Sequence, residues 1–244
     1  MKPEEKIVEQ FLKKNWDTVI FEPDGNITPD FLVDSKYAIE VRRLNENFFE
    51  VDKSQGLEQL AYPLYDAFYE FLRSFDGNGS EKTYWVAIEF HRPIIKKINP
   101  LKSEMKLALQ KFLKIPSELP YQLEVNDTIS FYLYESEPKA GRLFRPAGGV
   151  DDDGGGSVIS LYVNNIQYCI SDKTVKIKPH LPKYAEWWLV LVDNMDWWLD
   201  NEEINEIVSA INELGNFDEI KVIRMDGEKQ LLNISKLALD TSFL

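Results

Sequence analysis

Residues 27 to 44 read ITPDFLVDSKYAIEVRRL, two short apolar runs that each hold an acid where a strand inside a sheet has little use for one. Asp30 opens the first run behind Pro29, and Glu40 sits between Ile39 and Val41 in the second, with Arg42 two places on. Strand residues two apart share a face and stand about 7 Å apart. Glu40 and Arg42 therefore point the same way as Ala38, while Ile39, Val41 and Arg43 point the other way. If the runs pair through a turn at Ser35-Lys36, Asp30 and Glu40 fall on neighbouring strands. Two carboxylates about 4 Å apart repel by roughly 4 kcal/mol at an effective dielectric of about 20, so something must offset them. A divalent cation is the expected agent. Mg²⁺ takes one or two protein carboxylates and keeps water ligands, which suits phosphodiester hydrolysis, where the metal polarises the phosphate and acidifies an attacking water.

The rest of the composition narrows the field. With 244 residues, 44% hydrophobic and 13% aromatic, the chain can bury a sizeable core. Its single cysteine, Cys169, allows no internal disulfide and points to a reducing compartment. The opening MKPEEKIVEQ is charged and helical in pattern, and no run reaches the roughly 18 apolar residues of a membrane span. A cytoplasmic protein without membrane contact is the expectation. The net charge of −13 argues against a protein that coats nucleic acid electrostatically. A nuclease with a local basic groove and an acidic exterior remains compatible with it.

Along the chain, PEEKIVEQFLKKN has a helical stripe at Ile7, Val8, Phe11 and Leu12. DTVIFEP, DFLVD and YAIEVRRL read as strands, the last two as a hairpin, and residues 54–75 return to helical spacing with Pro63 expected to kink or divide the helix. YWVAIEF, YQLEV, TISFYLYE, VISLYV, EWWLVLVDN and FDEIKVIRM read as further strands. NPLKSEMKLALQKFL, NNIQYCISDKTVKI (with Ile166, Cys169, Ile170 and Val175 inward) and EEINEIVSAINEL, ended by Gly215, read as helices. The segment 138–157, with two prolines, six glycines and three consecutive aspartates, is expected to be a mobile loop. The alternation indicates an α/β fold. One domain is expected over 1–244, with a core in 1–95 and elaborations in 96–244.

A helix with an early acid, a strand, Pro29-Asp30 opening a second strand, Glu40-Val41-Arg42 on a third and then a helix resemble the pattern of the PD-(D/E)XK restriction-endonuclease-like superfamily. The resemblance implies a mixed central sheet flanked by helices and a metal-dependent phosphodiesterase, a DNA endonuclease or close relative. It implies Mg²⁺ or Mn²⁺ held by Asp30, Glu40 and the Val41 carbonyl, with an acid of the first helix joining them. Glu5 is chosen over Glu4 and Glu9. Gln59 falls where some branches carry a helix glutamine. The departure is Arg42, which stands at the usual lysine position. Arginine can clamp a phosphate but does not deprotonate. A lysine from Lys53 or from SDKTVKIK is a conceivable substitute.

Plainer readings stand beside these. Asp30 can also be read as a turn-side cap, Glu40 with Arg42 as a same-face ion pair contributing below about 1 kcal/mol, and Gln59 as a solvated helix residue. VDDDGGG lacks the spacing of a calcium loop, and GNGS and GGG lack the Lys-Ser/Thr ending of a phosphate loop. The tryptophan pairs 187–188 and 197–198 read as caps of the core. Lys173, Lys176 and Lys178 form the one basic stretch that a nucleic-acid backbone would touch. The rival function is a nuclease-like fold that no longer cuts and serves as a protein-interaction module, which the acidic balance and Arg42 favour.

Overall fold

In the computed structural model, which describes residues 1–50, 54–77, 82–114 and 118–236, helix α1 (Pro3–Asn15) starts at Pro3, whose fixed φ and missing N–H suit a first helical position. Strands β1 (Val19–Phe21), β2 (Phe31–Val33) and β3 (Tyr37–Leu44) follow as an antiparallel meander. The β2–β3 turn is made by Asp34 and Ser35, both in the left-handed region at φ 47° and 56°, and the Lys36 N–H donates to the Val33 carbonyl at 3.0 Å. The turn thus lies one residue earlier than expected, where Asp and Ser accept the twist that a hairpin demands. Phe31 pairs with Ile39, and continuing that register one step sets Asp30 opposite Glu40.

The chain then leaves this sheet. Residues Phe48–Gly155 form a second compact unit, inserted between Met1–Asn47 and Gly156–Leu244, which form the first. The insertion begins with a two-stranded sheet, β4 (Asn47–Phe49) and β5 (Ser54–Gly56). Helix α2 (Glu58–Arg73), β6 (Thr83–Phe90), α3 (Ile98–Phe112), β7 (Tyr121–Asn126), β8 (Ile129–Ser136) and β9 (Phe144–Asp151) complete it. Pro63 lies inside α2 without dividing it. The helix is held by burial of Leu64, Phe68 and Leu72 on either side of the next turns, in a cluster with Val86, Ile88, Met105 and Phe131. Its four-stranded sheet has the order β7-β8-β6-β9.

The segment expected as a mobile loop contains β9, which pairs in parallel with β6. Gly149 is there for close packing, since a Cβ at that position would lie 2.3 Å from the Tyr65 ring. The neighbouring aspartates are also committed: Asp151 and Asp153 hold the Arg92 guanidinium at 2.5 and 3.2 Å.

The first unit resumes with α4 (Val158–Ile177), a 3₁₀ turn at Lys178–Lys183, β10 (Glu186–Asp193), α5 (Asn201–Ala210), β11 (Glu219–Arg224) and β12 (Gln230–Ser235). VISLYV, expected as a strand, opens α4. The buried stripe Tyr162, Asn165, Ile166, Cys169, Ile170, Lys173 and Ile177 keeps helical spacing, which overrides the β-branched preference. Val175, expected inward, is 74% exposed. Helix α5 stops at Ala210, short of the expected stop at Gly215, because Ile211 and Leu214 turn into the core. Trp187 and Trp188 are buried as expected, whereas Trp197 and Trp198 are 42% and 89% exposed and cap nothing.

The six-stranded sheet runs β1-β2-β3-β10-β11-β12, with β3, β10 and β11 parallel and the outer strands antiparallel. One face packs on α1 through Val8, Phe11, Ile39, Val41 and Val190. The other packs on α4 and α5 through Ala38, Ile166, Leu189, Leu191 and Ile207. The chain is a mixed α/β protein with sheets flanked by helices. The sheet that carries Asp30 and Glu40 is completed by residues 186–235 and not within the first 95. No helix of the described residues is long and apolar enough to cross a membrane.

Gly215 closes this unit against α4. It has φ +58°, and a Cβ would lie 2.1 Å from Thr174 Oγ1 and 3.2 Å from Ile170 Cγ2. Gly215→Ala should lower stability in urea unfolding by roughly 2–4 kcal/mol, from left-handed strain plus overpacking. Adding Thr174→Ala should recover only the overpacking part.

Candidate functional site

Glu40 lies midway along β3, between β2 and β10, opposite Leu189 in register, and is fully buried. Its side chain meets α4. The helical stripe that carries Ile166, Cys169 and Ile170 inward carries Lys173 with them, and three residues later Lys176 comes round to the same side. Lys173 Nζ donates to Glu40 Oε2 at 2.6 Å and Lys176 Nζ to the same oxygen at 3.0 Å. Glu40 Oε1 is buried without a hydrogen-bond partner. Asp30, at the start of β2, accepts the Val41 N–H on Oδ2 at 2.7 Å, which fixes it beside Glu40.

The two carboxyls are driven apart electrostatically. Burial, followed by the charge of Glu40, raises the Asp30 carboxyl above its ordinary value, with Lys173 and the Val41 N–H opposing. Burial would raise Glu40 too, but the charge and hydrogen bond of Lys173, then those of Lys176, hold it below the ordinary value. Glu40 is thus the fixed anion of the site and Asp30 the more readily protonated partner. The offset to Glu40's charge, expected from a divalent cation, is supplied in the folded chain by two ammonium groups.

Of the residues singled out in the sequence, Asp30, Glu40 and Val41 come together. Arg42 shares the face of Glu40 but belongs elsewhere: it forms an ion pair with Asp172 and lies 4.8 Å over the Tyr168 ring. It therefore ties β3 to α4, and the Glu40–Arg42 ion pair is replaced by Glu40–Lys173. Glu5 is buried, but it accepts the Lys2 backbone N–H at 2.6 Å and pairs with Lys2 Nζ at 3.1 Å, so it caps the start of α1. Glu4 reaches Arg43 at 3.5 Å and Glu9 reaches Lys13 at 2.8 Å. Gln59 is exposed on α2 in the other unit, while the helix that follows β3 within the sheet's own unit is α4. Lys53 lies outside the described residues. Cys169 is buried and its thiol is pushed up to about 11, first by burial, so it is no nucleophile.

Among the described residues no group of three or more His, Cys, Asp or Glu side chains could hold a metal ion. Asp30 and Glu40 still fit a hard cation such as Mg²⁺, which needs only one or two carboxylates. The unpartnered Glu40 Oε1 is a donor oxygen left free in the interior, where buried polar atoms are normally satisfied.

Lys173 is one of the SDKTVKIK lysines that the sequence offers as a substitute for Arg42, without distinguishing it from Lys176 and Lys178. It stands three residues after Ile170 and four before Ile177, both buried on the same stripe. An ammonium at that spacing implies a buried anion facing it, just as Glu40 inside a strand implies a buried cation.

No protein-family model, no curated protein and no solved structure matches this chain.

Lys173→Met should destabilise the protein by roughly 2–4 kcal/mol in urea unfolding, because it leaves a buried carboxylate with one half-exposed partner. Combining it with Glu40→Gln should recover at least half of that loss. Strictly additive losses would mean that the pair is not coupled.

Proposed function

We propose that the first unit is a Mg²⁺- or Mn²⁺-dependent phosphodiesterase with a restriction-endonuclease-like fold, acting on DNA or a related nucleic acid. The observation that carries this reading is the buried Glu40 carboxylate beside Asp30, with a lysine from the following helix on it. The element order supports it: a helix, a three-stranded meander, a helix and a parallel strand, as α1, β1, β2, β3, α4 and β10. This is the order that the Pro29-Asp30 and Glu40-x-Arg42 pattern implies, interrupted by the inserted unit after the third strand.

In this reading Asp30 and Glu40 hold the cation, with the Val41 carbonyl as a further donor. A bound Mg²⁺ supplies polarisation of the phosphate and a more acidic water. Lys173 takes the part that Arg42 cannot: it keeps Glu40 ionised, and its ammonium would oppose the charge that builds on a phosphate held by the cation. Arg42, paired with Asp172, fixes the helix that carries Lys173.

A second reading is a nuclease-like fold that binds a protein partner and does not cut. The net charge of −13 favours it, as does the pairing of Glu40 with two lysines.

Hydrolysis of single- and double-stranded DNA and of RNA, with Mg²⁺ or Mn²⁺, separates the two. The expected result is cleavage by the wild type and a loss of about 10²-fold or more in Asp30→Asn, Glu40→Gln and Lys173→Met. Arg42→Ala should stay within about tenfold, since it acts only through α4. Equal silence of the wild type and all variants would overturn the enzyme reading, and a stable protein partner in pull-downs would then support the second.

A further inference from the structure

Two ammonium groups on one carboxylate oxygen are more than a single buried anion requires. They are not equivalent. The Lys173 side chain is 11% exposed, and its ammonium is 2.6 Å from Glu40 Oε2. It projects from the buried stripe between Ile170 and Ile177, and its charge also acts on Asp30. The Lys176 side chain is 48% exposed and reaches the same oxygen at 3.0 Å from the solvent side. Next to it, Val175 is 74% exposed, so this side of α4 faces water. Lys176 can turn outward without opening the core; Lys173 cannot.

The charges make that difference consequential. Asp30 and Glu40 against Lys173 and Lys176 sum to no net charge, so a divalent cation meets little local attraction at these four side chains. A phosphodiester backbone brings negative charge, and a lysine ammonium is a mobile point-charge ligand for phosphate.

Resting on the metal-centre reading above, we propose that Lys176 is a movable counter-ion: it holds Glu40 in the free protein and passes to a phosphate of the nucleic acid on binding, which releases Glu40 to the divalent cation. Lys176 is then a substrate-binding residue that makes cation binding conditional on substrate. Because the coupling is between two binding equilibria, it is reciprocal, and each ligand strengthens the other by the same factor.

Two measurements without turnover test this. In calorimetric titration of the free protein with Mn²⁺ alone, Lys176→Met should bind the ion about tenfold or more tightly than the wild type, and the charge-conserving Lys176→Arg should match the wild type. In binding of a short DNA oligonucleotide without metal, Lys176→Met should reduce the salt dependence by about one phosphate contact. If the wild type binds Mn²⁺, loses it in Asp30→Asn, and Lys176→Met binds no more tightly, the counter-ion proposal is wrong and the metal centre stands. If neither the wild type nor Lys176→Met binds Mn²⁺, the metal-centre reading falls and takes this proposal with it.

Discussion

A carboxylate with no exposed surface, set in the middle of a six-stranded sheet, stays ionised only if the fold brings a cation to it. Glu40 is that carboxylate, and Lys173 on α4 is that cation. The desolvation penalty of either group alone is several kcal/mol, so neither β3 nor α4 is acceptable in its place without the other. This pair therefore helps to fix the docking of the helix on the sheet, and Arg42 with Asp172 repeats the connection further along the same two elements. The apolar layer around them, Ala38, Ile166 and Ile170 among others, supplies burial but little specificity. The ion pairs supply the register.

The same pair separates the behaviour of the two acids. Asp30 shares the site through the Val41 N–H but has no lysine of its own, and it bears the repulsion of Glu40 in a buried place. The Lys2 ammonium, which belongs chiefly to Glu5, also feels Asp30's charge at a distance. The two acids therefore differ in kind: Glu40 is held ionised by two lysines, and Asp30 is the more readily protonated of the pair.

Much of this was legible in the sequence, because it rests on local rules. The period-2 pattern of DFLVD and YAIEVRRL gives the hairpin and places Asp30 beside Glu40, although the turn, read at Ser35-Lys36, lies at Asp34-Ser35. The partners of that hairpin were not legible. The next helix along the chain after β3 is α2 at residues 58–73, so local reading makes it the next layer of the same sheet and assigns Gln59 to the site. The true neighbour of β3 is β10, about 150 residues away in register (Glu186 opposite Tyr37), and pairing at that separation leaves no local trace. For a related reason Lys173 was not singled out. SDKTVKIK offers three lysines for the substitute role, and only the helical stripe from Tyr162 to Ile177 shows that Lys173 faces inward while Lys178 does not. Arginine at position 42 looked like a weakened lysine. It is a structural clasp to Asp172, and the cation on Glu40 comes from another element.

Glu40 is ionised by virtue of Lys173 and Lys176, while Asp30 is burdened by burial and by Glu40. Carboxyl-carbon NMR of the metal-free protein, followed through an acid titration, measures both groups separately. Lowered in the fold, Glu40 stabilises the protein above its ordinary value of 4.5 and loses that contribution as pH falls through its own lower value. Raised in the fold, Asp30 has the opposite sign, favouring the folded state below 3.8 and opposing it as pH rises. The account predicts a Glu40 midpoint below 4.5 and an Asp30 midpoint above 3.8. A Glu40 carboxyl that titrates above 4.5 would contradict it.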